Sequence, residues 1–327
     1  MKRRRVSRFG RQLEGALLKS LGIIAGLATG HGRYRKTVPH KIGSIKGAII
    51  EAINIFYYSV RSDRSFGYTS LTVEPLNQCN IRCLQCPVNR GMKRPKEKMN
   101  MGLFSRILDH SPVLERVHLT GWGEPLLHKD IFRMIELARE KGLIATIVSN
   151  ATLLDQEKSS ELLDSKVSVV TFSLDGVGQV YEQVRGMPYD KIRANIINFL
   201  KLRENHAEKP FVEINVVIFE QTTGGGEKEV RREWETRVDL VTAQPLVSQK
   251  ENRRKKRCMH LWRRMVVLSD GRVVPCCVDA EGELILGDAK LESVGKIFNG
   301  PAMRRLRRLH IRGQFPKLCS HCNEFYG

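Results

Sequence analysis

Residues 69–86, TSLTVEPLNQCNIRCLQC, join a β-rich run to three closely spaced cysteines. The run 69–74 has the composition of a strand, which predicts that the cysteines lie on the loop that follows it. In parallel barrels, chemistry is carried by the loops at the carboxyl ends of the strands. This stretch therefore indicates both a parallel fold and the position of its functional site.

Outward from this stretch, β-rich runs alternate with helical stretches whose apolar residues recur three or four apart. The predicted strands are residues 69–74, 116–120, 144–149, 167–174, 211–219 and 238–242. The predicted helices are residues 103–109, 131–141, 156–163, 192–203 and 227–237. This alternation predicts an α/β fold in which six parallel strands and their helices form a partial, TIM-like (β/α)6 barrel.

Two extensions flank the predicted barrel, which takes residues 68–249. Residues 1–67 are basic, and within them residues 15–30 and 45–60 have the pattern of amphipathic helices. The apolar run of residues 15–30 is shorter than the ~20 residues that span a bilayer, so no transmembrane helix is predicted. Residues 250–327 form a C-terminal extension with a hairpin at Asp270-Gly271, a helix near residues 303–309 and too little apolar content for a core of its own.

The composition fits a folded protein that meets an acidic partner. The 327 residues are 41% hydrophobic and 28% charged, which argues against wholesale disorder and against a polytopic membrane protein. The formal net charge of +20 favours nucleic acid, an anionic membrane surface, an acidic protein or a phosphorylated substrate as a counterpart. Eight cysteines in two tight sets, without an evident signal peptide, favour metal ligation in a reducing, cytoplasmic compartment over disulfides.

The first cysteine set is Cys79, Cys83 and Cys86. Soft thiolates select iron–sulfur clusters or zinc, and a structural zinc site takes four protein ligands where this loop supplies three. Three ligands leave one iron of a cluster open to a cofactor or substrate. The alternatives are a zinc knuckle that borrows a distant ligand and a set of inert thiols.

The octapeptide 79–86, CNIRCLQC, resembles the cluster loop of the radical S-adenosylmethionine (SAM) superfamily. The resemblance implies a [4Fe-4S] cluster whose open iron chelates SAM, and a 5'-deoxyadenosyl radical that removes a substrate hydrogen. Gln85 stands where the family usually has an aromatic residue. Residues 211–219 also lack the glycine that often precedes the adenine-stacking residue, so the adenine contact is not assigned.

Further residues resemble the family's SAM contacts. They are Gly121, Gly123, Glu124, Pro125, Asn150, Ser173, Asp175 and Arg185. The resemblance implies that the Gly-Trp-Gly-Glu-Pro loop 121–125 receives the ammonium group of SAM, although Trp122 is inserted in the family's Gly-Gly-Glu-Pro motif. It implies ribose and carboxylate contacts after the third and fourth strands, and a carboxylate contact for Arg185. Without the resemblance, these residues are a tight turn and helix caps.

The second cysteine set supplies four ligands, Cys258, Cys276, Cys319 and Cys322, and leaves Cys277 over. The hairpin that ends at Cys276 and the late Cys-x2-Cys pair resemble the shortened SPASM, or twitch, extension of the same superfamily. That extension implies one auxiliary [4Fe-4S] cluster, and four thiolates leave it no open iron, which favours electron transfer. A zinc ribbon is the alternative, although it ordinarily brings two Cys-x2-Cys pairs.

These features predict an enzyme that cleaves SAM reductively and oxidises a peptide or protein side chain. The alternative substrate is a small molecule, such as a sugar, cofactor precursor or lipid head group, modified at a membrane surface. A ferredoxin or flavodoxin is the expected electron donor, and the basic extension is compatible with peripheral contact at the inner face of an anionic membrane. A zinc- or cluster-bearing nucleic-acid-binding module is the alternative of another class. Nucleic acid is disfavoured as a partner because aromatic residues, which stack on bases, are few in basic runs such as residues 304–312.

Overall fold

The computed structural model describes residues 44–219, 222, 226–246, 256–320 and 322. The helix predicted over residues 15–30 and most of the basic run 250–257 lie outside the described residues. An N-terminal helix, α1 (Ile45–Ser59), precedes the barrel. The barrel strands are β1 (Ser70–Val73), β2 (Arg116–Leu119), β3 (Ile144–Ser149), β4 (Val169–Ser173), β5 (Phe211–Ile218) and β6 (Leu240–Pro245). The barrel helices are α2 (Met101–Asp109), α3 (Ile131–Glu140), α4 (Gln156–Asp164), α5 (Gly178–Arg185), α6 (Tyr189–Asn205) and α7 (Gly226–Trp234).

The C-terminal extension continues the same sheet. It comprises a 3-10 turn (Met259–Trp262), β7 (Arg264–Val267), β8 (Arg272–Val274), β9 (Gly287–Asp288), α8 (Val294–Phe298), α9 (Pro301–Ile311) and α10 (Lys317–Ser320). The strand order is β6-β5-β4-β3-β2-β1-β7-β8-β9. Strands β1 to β6 pair in parallel with their neighbours, β7 pairs in parallel with β1, and β8 and β9 add an antiparallel meander. The predicted α/β fold with six parallel barrel strands is confirmed.

Side chains alternate across the barrel sheet, so that one face packs on helices and the other is polar. The ring of Phe172 on β4 lies 5.5 Å from that of Phe199 on α6, edge to face. Its neighbour Thr171 therefore points to the opposite face. There the Thr171 hydroxyl lies 3.3 Å from the carboxylate of Glu213 on β5, which also accepts a 2.6 Å hydrogen bond from Thr242 on β6. The polar face of the sheet is thus crossed by hydrogen bonds between adjacent strands.

The C-terminal extension shares the core of the barrel. Trp262, Met265 and Phe298 are at most 1% exposed and belong to the same apolar cluster as the barrel strands. Phe298 also packs edge to face on Tyr68, just before β1, with the ring centroids 5.2 Å apart. Packing against the barrel therefore supplies the apolar core that the extension lacks by itself, as its composition indicated.

Helix α1 is fastened to the barrel and to the extension. Its N-cap is Ser44, whose side chain accepts a hydrogen bond from the Gly47 amide, and Asn54 on the helix is completely buried. Tyr58 packs edge to face on Trp262 with the ring centroids 5.3 Å apart. Within the described residues, every helix is too short or too polar to cross a bilayer.

Candidate active site

The first cysteine set lies on the long loop between β1 and α2, at the carboxyl end of the sheet. Cys83 is buried and Cys79 and Cys86 are half-buried. Burial raises the pKa of all three thiols above the ordinary value. The loop is tied to α5 because the Leu84 amide donates a 3.0 Å hydrogen bond to the Val184 carbonyl.

Two side chains from other elements reach the sulfurs of this loop. The Asn150 amide nitrogen, just after β3, lies 3.6 Å from Cys79 Sγ. A guanidinium nitrogen of Arg185, the last residue of α5, lies 3.7 Å from Cys83 Sγ. Both donors face sulfurs that carry negative charge when they ligate a metal, so they stabilise the ligating form.

Arg185 is held in place by the completely buried Asp175. The Asp175 carboxylate pairs with Arg185 at 2.8 Å, accepts a 2.7 Å hydrogen bond from the Gln85 amide and accepts a third from the Val217 amide at 3.0 Å. Burial opposes the charge on Arg185, but Asp175 and the Cys83 sulfur raise its pKa above the ordinary value. The carboxylate thus has three partners from the protein, which gives Asp175 a positioning role.

The Gly-Trp-Gly-Glu-Pro loop 121–125 follows β2 and crosses the start of the cluster loop. A Cβ atom at Gly121 would lie 2.3 Å from Glu74 Cγ, and one at Gly123 would lie 2.5 Å from the Leu76 carbonyl oxygen. Neither position has room for a side chain. The two glycines therefore let this loop approach the cluster loop closely, in agreement with the spacing of the motif.

Glu124 points into the protein. Its carboxylate accepts hydrogen bonds from the Ser149 hydroxyl at 2.9 Å and from two backbone amides, those of Asn150 at 2.7 Å and Leu126 at 3.2 Å. Burial raises its pKa to about 7, although these hydrogen bonds oppose the shift. Glu124 therefore joins the loop after β2 to the end of β3, and Pro125 begins the short 3-10 turn that follows. The contact of Glu124 with SAM stays a prediction.

Glu74 and Arg94 form a second buried junction, which the sequence analysis missed. Their side chains are 1% and 3% exposed and make two hydrogen bonds of 2.8 and 2.9 Å. Glu74 also accepts hydrogen bonds from Ser269 in the β7–β8 turn and from the Trp122 amide. The position of Glu74 at the end of a predicted strand was a signal for it, whereas nothing in the local sequence marks Arg94.

Trp122 connects the loop 121–125 to the C-terminal extension through its indole. The indole nitrogen donates a 3.0 Å hydrogen bond to the carbonyl of Cys277. Cys277 is exposed, whereas the adjacent Cys276 is half-buried. The residue that separates this loop from the family's Gly-Gly-Glu-Pro pattern thus contacts the second cysteine set.

The second cysteine set lies near the carboxyl end of β8. Burial raises the pKa of the Cys276 thiol well above its ordinary value, and the nearby sulfurs of Cys277, Cys258 and Cys319 add to the shift. The Cys322 amide donates a 3.3 Å hydrogen bond to the Cys319 carbonyl, which closes the Cys-x2-Cys turn. Cys322 is buried and Cys258 and Cys319 are half-buried. The structure therefore brings Cys276 close to Cys258 and Cys319, from separate parts of the extension.

Both cysteine sets fit iron–sulfur clusters. Each set supplies thiolates, which are the ligands that hold iron–sulfur clusters in proteins. Beside the first set, Gln85 Oε1 and Arg185 Nε are buried without hydrogen-bond partners among the described residues. An orphaned acceptor and an orphaned donor fit a ligand that brings both kinds of group, as SAM does.

A partial parallel barrel with thiols on the loop after its first strand, and a second thiol set in an attached extension, defines an iron–sulfur enzyme. Comparison with protein families matches residues 73–232 to the radical SAM superfamily and residues 258–323 to SPASM, an iron–sulfur cluster-binding domain. The chain therefore carries a radical SAM domain followed by a SPASM domain. Its cofactors are SAM, the [4Fe-4S] cluster of the barrel and auxiliary iron–sulfur chemistry in the extension.

Curated relatives share only part of their length with this chain. The tungsten-containing aldehyde ferredoxin oxidoreductase cofactor-modifying protein of Pyrococcus furiosus is 29% identical over 158 residues, which are 45% of this chain and 43% of that protein. The PqqA peptide cyclase of Bradyrhizobium diazoefficiens is 26% identical over 110 residues, which are 33% of this chain and 29% of that protein. The chain thus spans less than half the length of these two relatives.

Solved structures share the fold. The crystal structure of BtrN in complex with SAM and 2-DOIA superposes with a TM-score of 0.54 at 16% identity. The superposition covers 79% of this chain and 93% of BtrN. It supports the partial barrel with its extension, and at this identity it carries no further conclusion.

Proposed function

We propose that this protein binds SAM at the cluster loop, cleaves it reductively and abstracts a hydrogen atom from its substrate. The observation that carries the proposal is the convergence of Asn150 and Arg185, from different elements, on the sulfurs of Cys79 and Cys83. When bound, the cluster supplies the electron that cleaves SAM to a 5'-deoxyadenosyl radical. The ligands in this proposal are Cys79, Cys83 and Cys86.

The residues around the cluster loop then hold SAM. Arg185 uses its two terminal nitrogens on Cys83 and Asp175, and its buried Nε is the donor that remains for the carboxylate of SAM. The backbone of Gly121 and Gly123 and the Glu124–Pro125 turn form the ammonium side of the site. Ser173, half-buried at the end of β4, and Asn150 are the hydroxyl-binding candidates.

The C-terminal extension works as an electron acceptor in this proposal. Cys258, Cys276, Cys319 and Cys322 ligate an auxiliary [4Fe-4S] cluster, which has no open iron when all four thiolates bind. Cys277 is left out because its neighbour Cys276 lies further inside. When bound, this cluster would supply an acceptor for one electron from the substrate radical, and loss of a proton from the substrate would complete its two-electron oxidation.

Release of 5'-deoxyadenosine tests the initiation step. The full chain is reconstituted anaerobically with iron and sulfide, reduced with dithionite and given SAM. We expect 5'-deoxyadenosine from the wild type and none from Cys83→Ala, while Cys277→Ala releases it as the wild type does. Absence of 5'-deoxyadenosine from a cluster-replete wild type contradicts the proposal.

For the substrate, we propose a peptide or protein side chain. The similarity to a PqqA peptide cyclase supports this class. The polar sheet face, with Glu213 between two threonine hydroxyls, suits a substrate that carries hydrogen-bonding groups. The basic surface suits an acidic ferredoxin or flavodoxin as the electron donor.

Deuterium transfer identifies the substrate class. Cells are grown on deuterated medium, and their extract is separated into a peptide and protein fraction and a small-molecule fraction. Each fraction is incubated with the reduced enzyme and unlabelled SAM. We expect deuterium in 5'-deoxyadenosine only with the peptide and protein fraction. Transfer only from the small-molecule fraction overturns the substrate proposal and leaves the initiation chemistry intact.

A further inference from the structure

Helix α1 carries an exposed apolar stripe. Ile45, Ile49 and Phe56 are 70%, 44% and 38% exposed. Their spacing of four and seven residues places them on one side of the helix, with the half-buried Ile53 between them. A continuous apolar stripe of this kind on a folded body marks a contact surface.

The stripe does not result from a loosely attached helix. The opposite side of α1 buries Ile50 and the completely enclosed Asn54, whose amide donates a 2.7 Å hydrogen bond to the Gly67 carbonyl. Glu51 pairs with Arg263 near β7, and an Arg257 nitrogen donates a 2.6 Å hydrogen bond to the Tyr58 carbonyl. The exposed stripe is therefore presented outward by a helix that is fixed on its inner side.

Basic residues precede and follow α1 in the sequence. The 43 residues before Ser44 contain eleven Lys and Arg against one Asp or Glu. Lys46 is exposed beside Ile45 and Ile49, and Arg61 and Arg64 are exposed just after the helix. Apolar side chains on a helix bounded by cationic groups match the boundary between lipid headgroups and acyl chains in an anionic membrane.

We propose that α1 docks this enzyme on an anionic membrane surface, with Ile45, Ile49 and Phe56 inserted among the lipids. The exposed basic residues Lys46, Arg61 and Arg64 bind the phosphate headgroups. This inference rests on the exposed face of α1 and on charge, and it is independent of the radical chemistry proposed above. The enzyme then meets substrates and electron donors at the membrane surface.

The arginines of α9 show why a membrane is favoured over nucleic acid. Arg307 is completely buried, donates to the Leu261 carbonyl at 2.8 Å and lies over the Phe298 ring at 4.6 Å. Arg304 and Arg308 pair with Asp63. Much of this basic run is therefore buried or ion-paired within the protein, whereas Lys46, Arg61 and Arg64 beside α1 are exposed.

Co-sedimentation of the full-length, cluster-reconstituted protein with vesicles tests the proposal. The vesicles contain either phosphatidylcholine alone or phosphatidylcholine with phosphatidylglycerol. We expect binding to the anionic vesicles only, and we expect the triple variant Ile45→Gln/Ile49→Gln/Phe56→Gln to bind them about tenfold more weakly. Raising the salt concentration lowers wild-type binding, because the headgroup contacts are screened.

The matched control is Leu291→Gln/Ile285→Gln, which removes two apolar side chains that are 82% and 48% exposed outside α1. We expect this control to bind as the wild type does. The single variant Ile45→Gln, in the first turn, serves if the triple variant loses its clusters or its circular-dichroism spectrum. Wild-type protein that does not bind anionic vesicles, or variants of the stripe that bind as tightly as the wild type, overturns the proposal.

Two other occupants of the stripe would also overturn it. If a second copy of the chain covers the stripe, the wild type is a dimer in solution and the triple variant is a monomer, and both bind vesicles equally. If residues 1–43 of the same chain cover the stripe, the triple variant is less stable to heat than the wild type, and both again bind vesicles equally. Neither result depends on SAM cleavage, so failure here is distinct from failure of the proposed function.

Discussion

The ion pair between Glu74 and Arg94 joins three parts of the molecule. Glu74 follows β1, Arg94 lies on the cluster loop, and Ser269 in the β7–β8 turn donates two 3.0 Å hydrogen bonds to the same carboxylate. The Arg94 guanidinium also donates to the Ala280 carbonyl at 2.5 Å. With every charged oxygen and most guanidinium nitrogens satisfied, the pair is stable where it lies, and its loss leaves a buried charge.

Replacement of Arg94 by leucine tests how much this ion pair contributes to stability. Since Glu74 then stays buried without its partner, we expect the free energy of unfolding to fall by about 3–5 kcal/mol. The control is Arg133→Leu, whose ion pairs with Glu136 and Glu140 are exposed to solvent and therefore contribute little to stability. Urea unfolding of both variants without clusters measures the difference, and equal losses would contradict this account.

Glu124 makes stability depend on pH. Its pKa rises from the ordinary value of 4.5 to about 7 in the folded protein. Between these values only the folded protein holds the proton, so this residue stabilises the fold below about pH 4.5 and the stabilisation is lost as the pH rises to about 7. The loss is on the order of 3 kcal/mol at most.

Glu124→Gln is neutral throughout this range. We expect the free energy of unfolding of the wild type, relative to E124Q, to decline as the pH rises from about 4.5 to about 7. Urea unfolding of the SAM-free protein at several pH values measures it. The exposed Glu140→Gln should follow the wild-type profile, and an E124Q profile parallel to the wild type would show that Glu124 is not the titrating group.

At the scale of elements, Asn54 fixes α1 to the segment before β1. Its oxygen accepts hydrogen bonds from the Ser65 hydroxyl at 2.5 Å and the Phe66 amide at 3.0 Å, and its nitrogen donates to the Gly67 carbonyl. The Ser65 hydroxyl lies 2.7 Å from the Trp262 carbonyl as well. One buried amide therefore links α1 to both the barrel and the extension.

Asn54→Ala removes this link and leaves buried backbone groups without partners. We expect a loss of about 2–3 kcal/mol in the free energy of unfolding and faster hydrogen exchange of the α1 amides. Asn205→Ala, at the exposed end of α6, should change the free energy of unfolding by less than about 0.5 kcal/mol. Unchanged exchange in α1 would mean that other contacts fix the helix.

The periodicity of the sequence predicted the barrel strands better than the helices. All six strands were found within a few residues of their predicted bounds, because apolar and β-branched residues alternate with polar ones over short runs. Helix α5 was missed, since its eight residues begin at Gly178 and are followed by Gly186, and both glycines have positive φ. Such a short helix depends on packing, here the burial of Tyr181 and Val184.

For the whole molecule, the shared sheet predicts that loss of the auxiliary cluster leaves the first cluster and SAM cleavage intact. Cys258→Ala removes one proposed ligand of the auxiliary cluster, so we expect iron to fall from about eight to about four atoms per chain. The apolar packing of the extension on the barrel remains, so 5'-deoxyadenosine is still released when SAM is added. Iron and sulfide analysis with electron paramagnetic resonance measures this.

The control for that experiment is Cys277→Ala. Its exposed side chain is outside the proposed ligand set, while the backbone carbonyl that accepts the Trp122 hydrogen bond is retained. We expect the iron content to remain at about eight atoms per chain. Iron near four per chain in Cys277→Ala and near eight in Cys258→Ala would reverse the ligand assignment.

The sequence by itself determined the parallel α/β architecture, the radical SAM motif and both cysteine sets, because strand periodicity and ligand spacing are local properties of the chain. Tertiary structure alone decided that β7 pairs with β1, that Arg94 meets Glu74, that Gln85 and Arg185 share Asp175, and that Cys276 rather than Cys277 turns inward. These contacts join residues far apart in sequence, and which partners meet depends on how the whole sheet and its loops fill space.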